Sequence, residues 1–479
     1  MPSLLAGCTP WPEEFVDRYW AAGHWRGNTL DDLLRGWAHQ YGPRTALVHG
    51  ADRVTYAQLN RRVDRMSAAL RMRGLRPGQR AVVQLPNVPD VVVTVFALMR
   101  AGVIPVLCPL THRGPEVAHL VRVAQAVAYV GPATHRGFDH TAMCADIAAR
   151  RPFLRRVFTW EPPGTTSPYG GLTTDPAGCQ YSPLSLLDEA PGPALTLDAG
   201  QVAFFLVGED GEGTLRLVPR THNDYDCQLR AAAASVALTQ DDVYLAALPA
   251  DSPLALGCPG IMGTLSVGGT VVLAESAEPA ACLDTLVRER VTLTSVTPSV
   301  ARLWLGQLAS CEADLSALRI IQVGGERPIA EHVPADPAGS SERPLADRLG
   351  PELRCRLQQV FVMAEGPLTL TRPGDPDETV RTTQGRPLSA DDEIRVVGAD
   401  GQEVPAGEPG ELLARGPSTV RGYYRAPGHD ERRFTPDGYF RTGVLARRTA
   451  AGDLVVTHGR AGPPGVTGRG GAHPFPGGS

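Results

Sequence analysis

The sequence predicts an α/β protein with mostly parallel sheets: two βα subdomains followed by a small β-rich one. Three observations carry this. Short apolar runs of strand length alternate with helical stretches through most of the chain. After Glu393 the pattern changes to short strands separated by turn residues. At 479 residues, with 43% hydrophobic and 20% charged residues, the chain is long enough for two or three cores.

Leu30, Leu33, Leu34 and Trp37 repeat with helical spacing, and Asp31 and Asp32 sit where a helix dipole favours acids. Thr29 to Gly74 therefore reads as helical and amphipathic. Arg80 to Leu85 reads as a buried strand broken by Pro86-Asn87, and Asp90–Ala101 as a buried helix. A strand at Val103–Leu107, a helix at His119–Ala126 and a strand at Val127–Val130 follow. Glu161 to Gly200 is rich in Pro, Gly, Ser and Thr, so it reads as a long surface connection. The next unit offers a strand at Val202–Val207, a helix at Cys227–Ala237, and strands near Thr270–Leu273, Leu293–Val296 and Ile320–Val323. Pro334 to Arg348 reads as a loop insertion. The last unit has strands at Glu393–Val397, Gly410–Arg415 and Asp453–Val456. These elements divide the chain into an N-terminal α/β subdomain (1–200), a second one bearing the ligand cleft (201–390), and a small β-rich subdomain (391–460). A tail with seven glycines and four prolines (461–479) is expected to be disordered.

Net charge is −5, which points away from nucleic acid and anionic membrane as partners. The nine cysteines are scattered without a CxxC pair, as expected of free thiols in a cytoplasmic protein. Leu4-Leu5-Ala6-Gly7-Cys8 superficially matches a lipoprotein cleavage box, but no basic residue precedes it and there is no room for an apolar core. Val91 to Met99 is too short to span a bilayer.

The chemistry-bearing segments are Pro109-Leu110-Thr111-His112-Arg113, Pro219-Arg220-Thr221-His222-Asn223-Asp224-Tyr225, Gln322-Val323-Gly324-Gly325, and Gln358 to Gly366. They continue with Thr383-Gln384-Gly385-Arg386-Pro387, Arg421-Gly422-Tyr423-Tyr424-Arg425, Gly438 to Gly443, and Gly459-Arg460. In this order they resemble the aryl-acid AMP ligases of the ANL adenylate-forming superfamily, the 2,3-dihydroxybenzoate- or salicylate-activating enzymes of siderophore and aryl-capped peptide pathways. The likeness runs over roughly residues 11–460 and includes Tyr19 and Trp25-Arg26-Gly27. It implies a large ANL-type N-terminal domain, with the C-terminal lid domain missing after Arg460. It also implies ATP and Mg²⁺ as cofactors, none bound covalently, an aryl or related carboxylic acid as ligand, and a carrier protein or an active ligase homologue as partner. In that chemistry a carboxylate attacks ATP, so the site must neutralise phosphate charge and position the attack.

Carried over residue by residue, the resemblance makes Glu365 the Mg²⁺-binding glutamate and, with Arg216, the catalytic pair. Gly211, Gly213, Gly324, Gly325 and Arg460 fall at nucleotide-binding positions. Ser252, Leu254, Val323, Val362, Met363 and Ala364 fall in the acyl pocket.

The departures fall on the same positions. The chain contains no lysine; its 46 basic residues are all arginine. Codon bias accounts for part of that, but Lys and Arg are not interchangeable where a compact point charge is needed. The family's phosphate loop runs roughly Ser-Gly-Gly-Ser/Thr-Thr-Gly-x-x-Lys; here it is Gly208-Glu209-Asp210-Gly211-Glu212-Gly213-Thr214-Leu215-Arg216. A carboxylate about 5 Å from a phosphate charge costs on the order of 3 kcal/mol at an effective dielectric near 20. Pro253 stands where the family has an Asn that reads the aryl hydroxyl. Val362 replaces a glycine, and Val444 replaces the ribose-binding Asp. Three readings follow: a pseudoenzyme that binds an aryl ligand or a partner protein, an enzyme with altered acid substrate or repurposed chemistry and a partner supplying the lid, or a frame-shifted C-terminus.

Overall fold

The computed structural model describes residues 4–162, 164–165, 171–210, 213–308, 313–325 and 343–460, the side chains of 458–460 excepted. Two large sheets and one small one form the frame. The first sheet has eight strands, in the order Leu215–Thr221, Val202–Glu209, Ile104–Leu107, Arg80–Val83, Ala128–Pro132, Arg156–Trp160, Gln180–Pro183 and Thr173–Thr174. Its central strands pair in parallel, Val82 with Val106 and with Tyr129. Runs such as Ala81-Val82-Val83 are apolar without alternation because both sheet faces are covered.

The second sheet has nine strands, from Arg386–Pro387 through Leu368–Leu370, Arg356–Val362, Ile320–Gly324, Leu293–Val296, Val243–Ala246, Thr270–Leu273 and Thr45–His49 to Asp52–Thr55. The third is a four-stranded antiparallel sheet of Glu393–Val397, Gly410–Arg415, Phe440–Arg448 and Leu454–Arg460. Residue 200 is thus no clean divide. The strands at Val202–Glu209 and Leu215–Thr221 complete the first sheet, and the N-terminal hairpin Thr45–Thr55 closes an edge of the second.

The helix Pro89–Arg100 lies in the core that joins the two large sheets; its cluster takes Val83 and Ala203 from the first and Leu47, Ala246 and Val271 from the second. Asn87, just before it, clamps the second sheet. Its amide donates to the Ala246 and Leu248 carbonyls at 3.1 and 2.8 Å, and its oxygen accepts from the Ala250 N–H at 2.8 Å. Satisfying a buried amide on three sides fixes the loop that leads to Ser252.

Several sequence expectations need correction. Thr29 to Gly74 is two helices, Leu30–Tyr41 and Tyr56–Met72, with the Thr45–Thr55 hairpin between them. Gly42-Pro43 stops the first, and Thr55 starts the second with a capping box to Gln58. The helix placed at Cys227 begins at His222, where Thr221 and Asp224 form a second capping box. The Glu161–Gly200 stretch contributes the last two strands at one end of the first sheet, Gln180–Pro183 and the edge strand Thr173–Thr174. Part of the Pro334–Arg348 insertion and all of 461–479 lie outside the described residues, while Leu345–Leu353 is helical.

The N-terminal helix Glu13–Ala21 docks on the third subdomain. Arg18 reaches Glu393 at 2.9 Å, and the Trp25 indole donates to the Pro417 carbonyl at 3.0 Å. Partial burial opposes ionisation of Glu393, but hydrogen bonds from Arg415, Arg18 and Tyr439 outweigh it and hold its carboxyl down to about 2. No helix among the described residues is long and apolar enough to cross a membrane.

Candidate active site

Residues of both large sheets and of the third subdomain converge on Glu365. It follows the strand Arg356–Val362 and is 4% exposed. From the third subdomain, the Val420 N–H donates to its carbonyl at 2.8 Å, and the Tyr423 hydroxyl donates to its carboxylate at 2.6 Å. Burial and the neighbouring carboxylate push the Tyr423 phenol far up, so it stays a donor. From the first sheet, Gly208 packs so closely that a side chain there would put its first carbon 3.3 Å from Glu365 Oε1. Gly366 adopts φ +111°, and a Cβ on it would fall 1.9 Å from the Ser418 carbonyl oxygen. Only glycine lets the backbone turn that tightly against the third subdomain.

Arg220 holds this junction from below. It is 1% exposed and pairs with Asp224 at 2.8 Å. It also donates to Gln228 and to the carbonyls of Ala364 and Ser418, at 2.9, 3.2 and 3.1 Å. With all three of its guanidinium nitrogens hydrogen-bonded within the protein, it ties the Glu365 loop to the third subdomain.

Beyond Gly208 the hairpin turns through the predicted phosphate loop. Asp210 does not point to solvent. Its side chain is 2% exposed; Oδ1 accepts the Thr214 N–H at 2.9 Å, while Oδ2 meets Arg216 Nε at 3.0 Å and Nη2 at 2.9 Å. The Asp210 and Thr214 backbones also bond at 3.0 Å, and Gly213 takes φ +82° to close the turn. Glu209 is exposed, and Gly211 and Glu212 lie outside the described residues. The His429 ring stands 3.9 Å from Asp210 Oδ2 and packs edge-on to Tyr423. Burial, with Arg216 and Arg433 nearby, lowers its pKa and favours the neutral ring. Arg216, placed in the sequence where the phosphate-binding lysine falls, is therefore already bound to a carboxylate.

The other expected positions divide. Gly324 and Gly325 end the strand Ile320–Gly324; a Cβ on Gly324 would lie 2.3 Å from the Val360 carbonyl oxygen, and one on Gly325 would reach Leu254 and Thr297 at 4.0 Å. Leu254 and Val362 share one apolar cluster, and Ser252 precedes the short helix Pro253–Gly257 that carries Leu254. Met363 and Ala364 pack on the main core. Val323 is not with them: it is buried in the separate core that includes Trp304 and Leu349. Strand alternation explains this, because Val323 shares a face with Ile321 and leaves Gln322 on the opposite side, where it bonds to Gln358. Arg460 pairs by its backbone with Val444, whose side chain packs on the apolar cluster of the third sheet. Tyr423 and Arg220 lie within motifs that gave them no role, and His429 lies outside every motif; what these residues do depends on partners distant in sequence. Asp251, next to Ser252, lines a small apolar cavity with Cys108, Leu85, Ile261 and Met262, and burial pushes its carboxyl up to about 6.

The fit to a nucleotide is uneven. Mg²⁺ is held by one or two carboxylates together with substrate phosphates, so a lone buried Glu365 suits it. The described residues hold no group of three or more metal-ligating side chains. At the positions that the resemblance assigned to phosphate and ribose, Arg216 is ion-paired with Asp210 and the Val444 side chain packs against the apolar cluster of the third sheet.

Comparison with known proteins agrees with this frame. A family model described as AMP-binding enzyme matches residues 34–424. The chain is 41% identical over 461 residues to the salicyl-AMP ligase / salicyl-S-ArCP synthetase of Mycobacterium tuberculosis, covering 95% of this chain and 77% of that protein. It is 37% identical over 458 residues to the 2,3-dihydroxybenzoate-AMP ligase of Bacillus subtilis, covering 96% and 80%. The apo structure of MbtA from Mycobacterium smegmatis superposes with a TM-score of 0.84 at 40% identity, over 96% of this chain and 81% of that one.

Proposed function

The chain belongs to the AMP-binding enzyme family, and on that footing we propose that it binds an aromatic carboxylic acid in specialised-metabolite or siderophore biosynthesis, with ATP-dependent adenylation of that acid strongly impaired. The observation that carries the second half is the Arg216–Asp210 ion pair. A polyphosphate entering the hairpin meets a cation already neutralised and a second anion beside it. Val444 adds to this, since it offers no acceptor to a ribose hydroxyl. The acid half rests on the family and on the apolar wall of Leu254 and Val362, with Gly325 close to Leu254. Pro253 gives that wall no side-chain hydrogen-bond partner, which favours an acid with fewer ring hydroxyls than 2,3-dihydroxybenzoate.

One observation favours a second reading, residual adenylation of an altered acid: Glu365 keeps its buried place and its tyrosine donor. Pyrophosphate exchange separates the two. Salicylate, benzoate and 2,3-dihydroxybenzoate are each assayed for ATP–pyrophosphate exchange, with thermal shift as the binding readout. The proposal expects a thermal shift with an aryl acid and no exchange above background; exchange with any of them establishes the alternative.

A further inference from the structure

The ion pair in the phosphate hairpin has the geometry of an occupied anion site. Such a site is built from a backbone N–H and a cation converging on one anion. Here the N–H is Thr214's, the cation is Arg216, and both meet on the carboxylate of Asp210. The arginine contributes two nitrogens to one carboxylate oxygen, and that carboxylate is almost wholly shielded from water. Asp210 belongs to the same hairpin, so its effective concentration at the site is high and independent of solution conditions.

We propose that Asp210 is a built-in occupant of the hairpin's anion site: its carboxylate holds the place of a phosphate group and makes this chain discriminate against polyphosphates. The idea rests on the reading that adenylation is impaired, and names the side chain responsible. Two consequences follow. First, the Thr214 N–H and the Arg216 guanidinium already converge on one anion, so removing the Asp210 charge should leave a working pair of anion donors. Second, the gain should depend on Arg216, because that residue would pass from Asp210 to the incoming anion. Asp210→Asn keeps an oxygen for the Thr214 N–H while removing the charge; Asp210→Ser removes the reach as well.

The test is calorimetric titration of wild type, Asp210→Asn, Asp210→Ser and the double variant Asp210→Asn/Arg216→Gln with magnesium pyrophosphate and with MgATP, at one fixed salt concentration. The single variants should bind pyrophosphate about 10- to 100-fold tighter than wild type, the range expected for releasing one charged hydrogen-bonding group. The double variant should lose that gain. No tightening in either single variant overturns the proposal, as does a gain that survives in the double variant. Exchange activity in the wild type would defeat the preceding reading without bearing on this comparison, which is made between variants.

Discussion

Replacing Arg216 with glutamine distinguishes a cation held for a ligand from one that belongs to the fold. A cation held for a ligand can be removed with little effect on stability of the free protein. Arg216 instead contacts Asp210 through Nε and Nη2, and the Asp210 side chain is 2% exposed. Removing one partner of a fully buried pair costs about 3–5 kcal/mol. The Arg216 side chain is 26% exposed, so water can reach the remaining carboxylate, and the Thr214 N–H still caps it. The expected loss is therefore lower, about 1.5–3 kcal/mol. Asp210→Asn, which keeps the cap, should cost about 1 kcal/mol. Because both variants break the same contact, the double variant should fall short of the sum by about 1 kcal/mol or more. Urea unfolding followed by far-ultraviolet circular dichroism gives all three values. An Arg216→Gln protein within about 0.5 kcal/mol of wild type would refute the reasoning, since surface substitutions fall in that range.

Two further predictions concern the third subdomain. Glu393 has a folded pKa of about 2, below its unfolded value, so its stabilising contribution is present above the unfolded pKa near 4.3 and lost as pH falls through about 2. Wild type should thus lose more stability than Glu393→Gln between those two pH values, measured by thermal melts; parallel pH profiles would show that the Arg18 and Arg415 contacts contribute nothing. Gly366→Ala should cost about 2–4 kcal/mol, because φ +111° and the 1.9 Å approach to the Ser418 oxygen both oppose a methyl group. An unchanged urea midpoint would mean that the third subdomain shifts aside freely.

Much of the frame was legible because local pattern and tertiary burial agree. The helix Pro89–Arg100 is apolar nearly all round and is buried nearly all round. The Thr45–Thr55 hairpin was hidden for the opposite reason: its strands are short, sit between two helices, and are fixed by pairing Leu47 with Val271, far along the chain. In the candidate site, the Met-Ala-Glu-Gly context singled out Glu365, and the structure buries it with the Tyr423 hydroxyl on its carboxylate. Val323 was drawn toward the pocket by its place in a glycine motif, although strand alternation puts it with Ile321 in another core. The acidic loop was legible as charge and not as direction. Sequence shows Asp210 and Arg216 six residues apart, and only the hairpin register, Gly208 opposite Arg216, brings the two side chains together.

The central claim is that the charge needed for polyphosphate is consumed within the protein. Titration of the wild-type chain with MgATP by calorimetry tests it most directly. The account predicts no saturable binding up to millimolar nucleotide. Binding with a micromolar dissociation constant would contradict it, and would mean that Arg216 leaves Asp210 for the nucleotide at little cost.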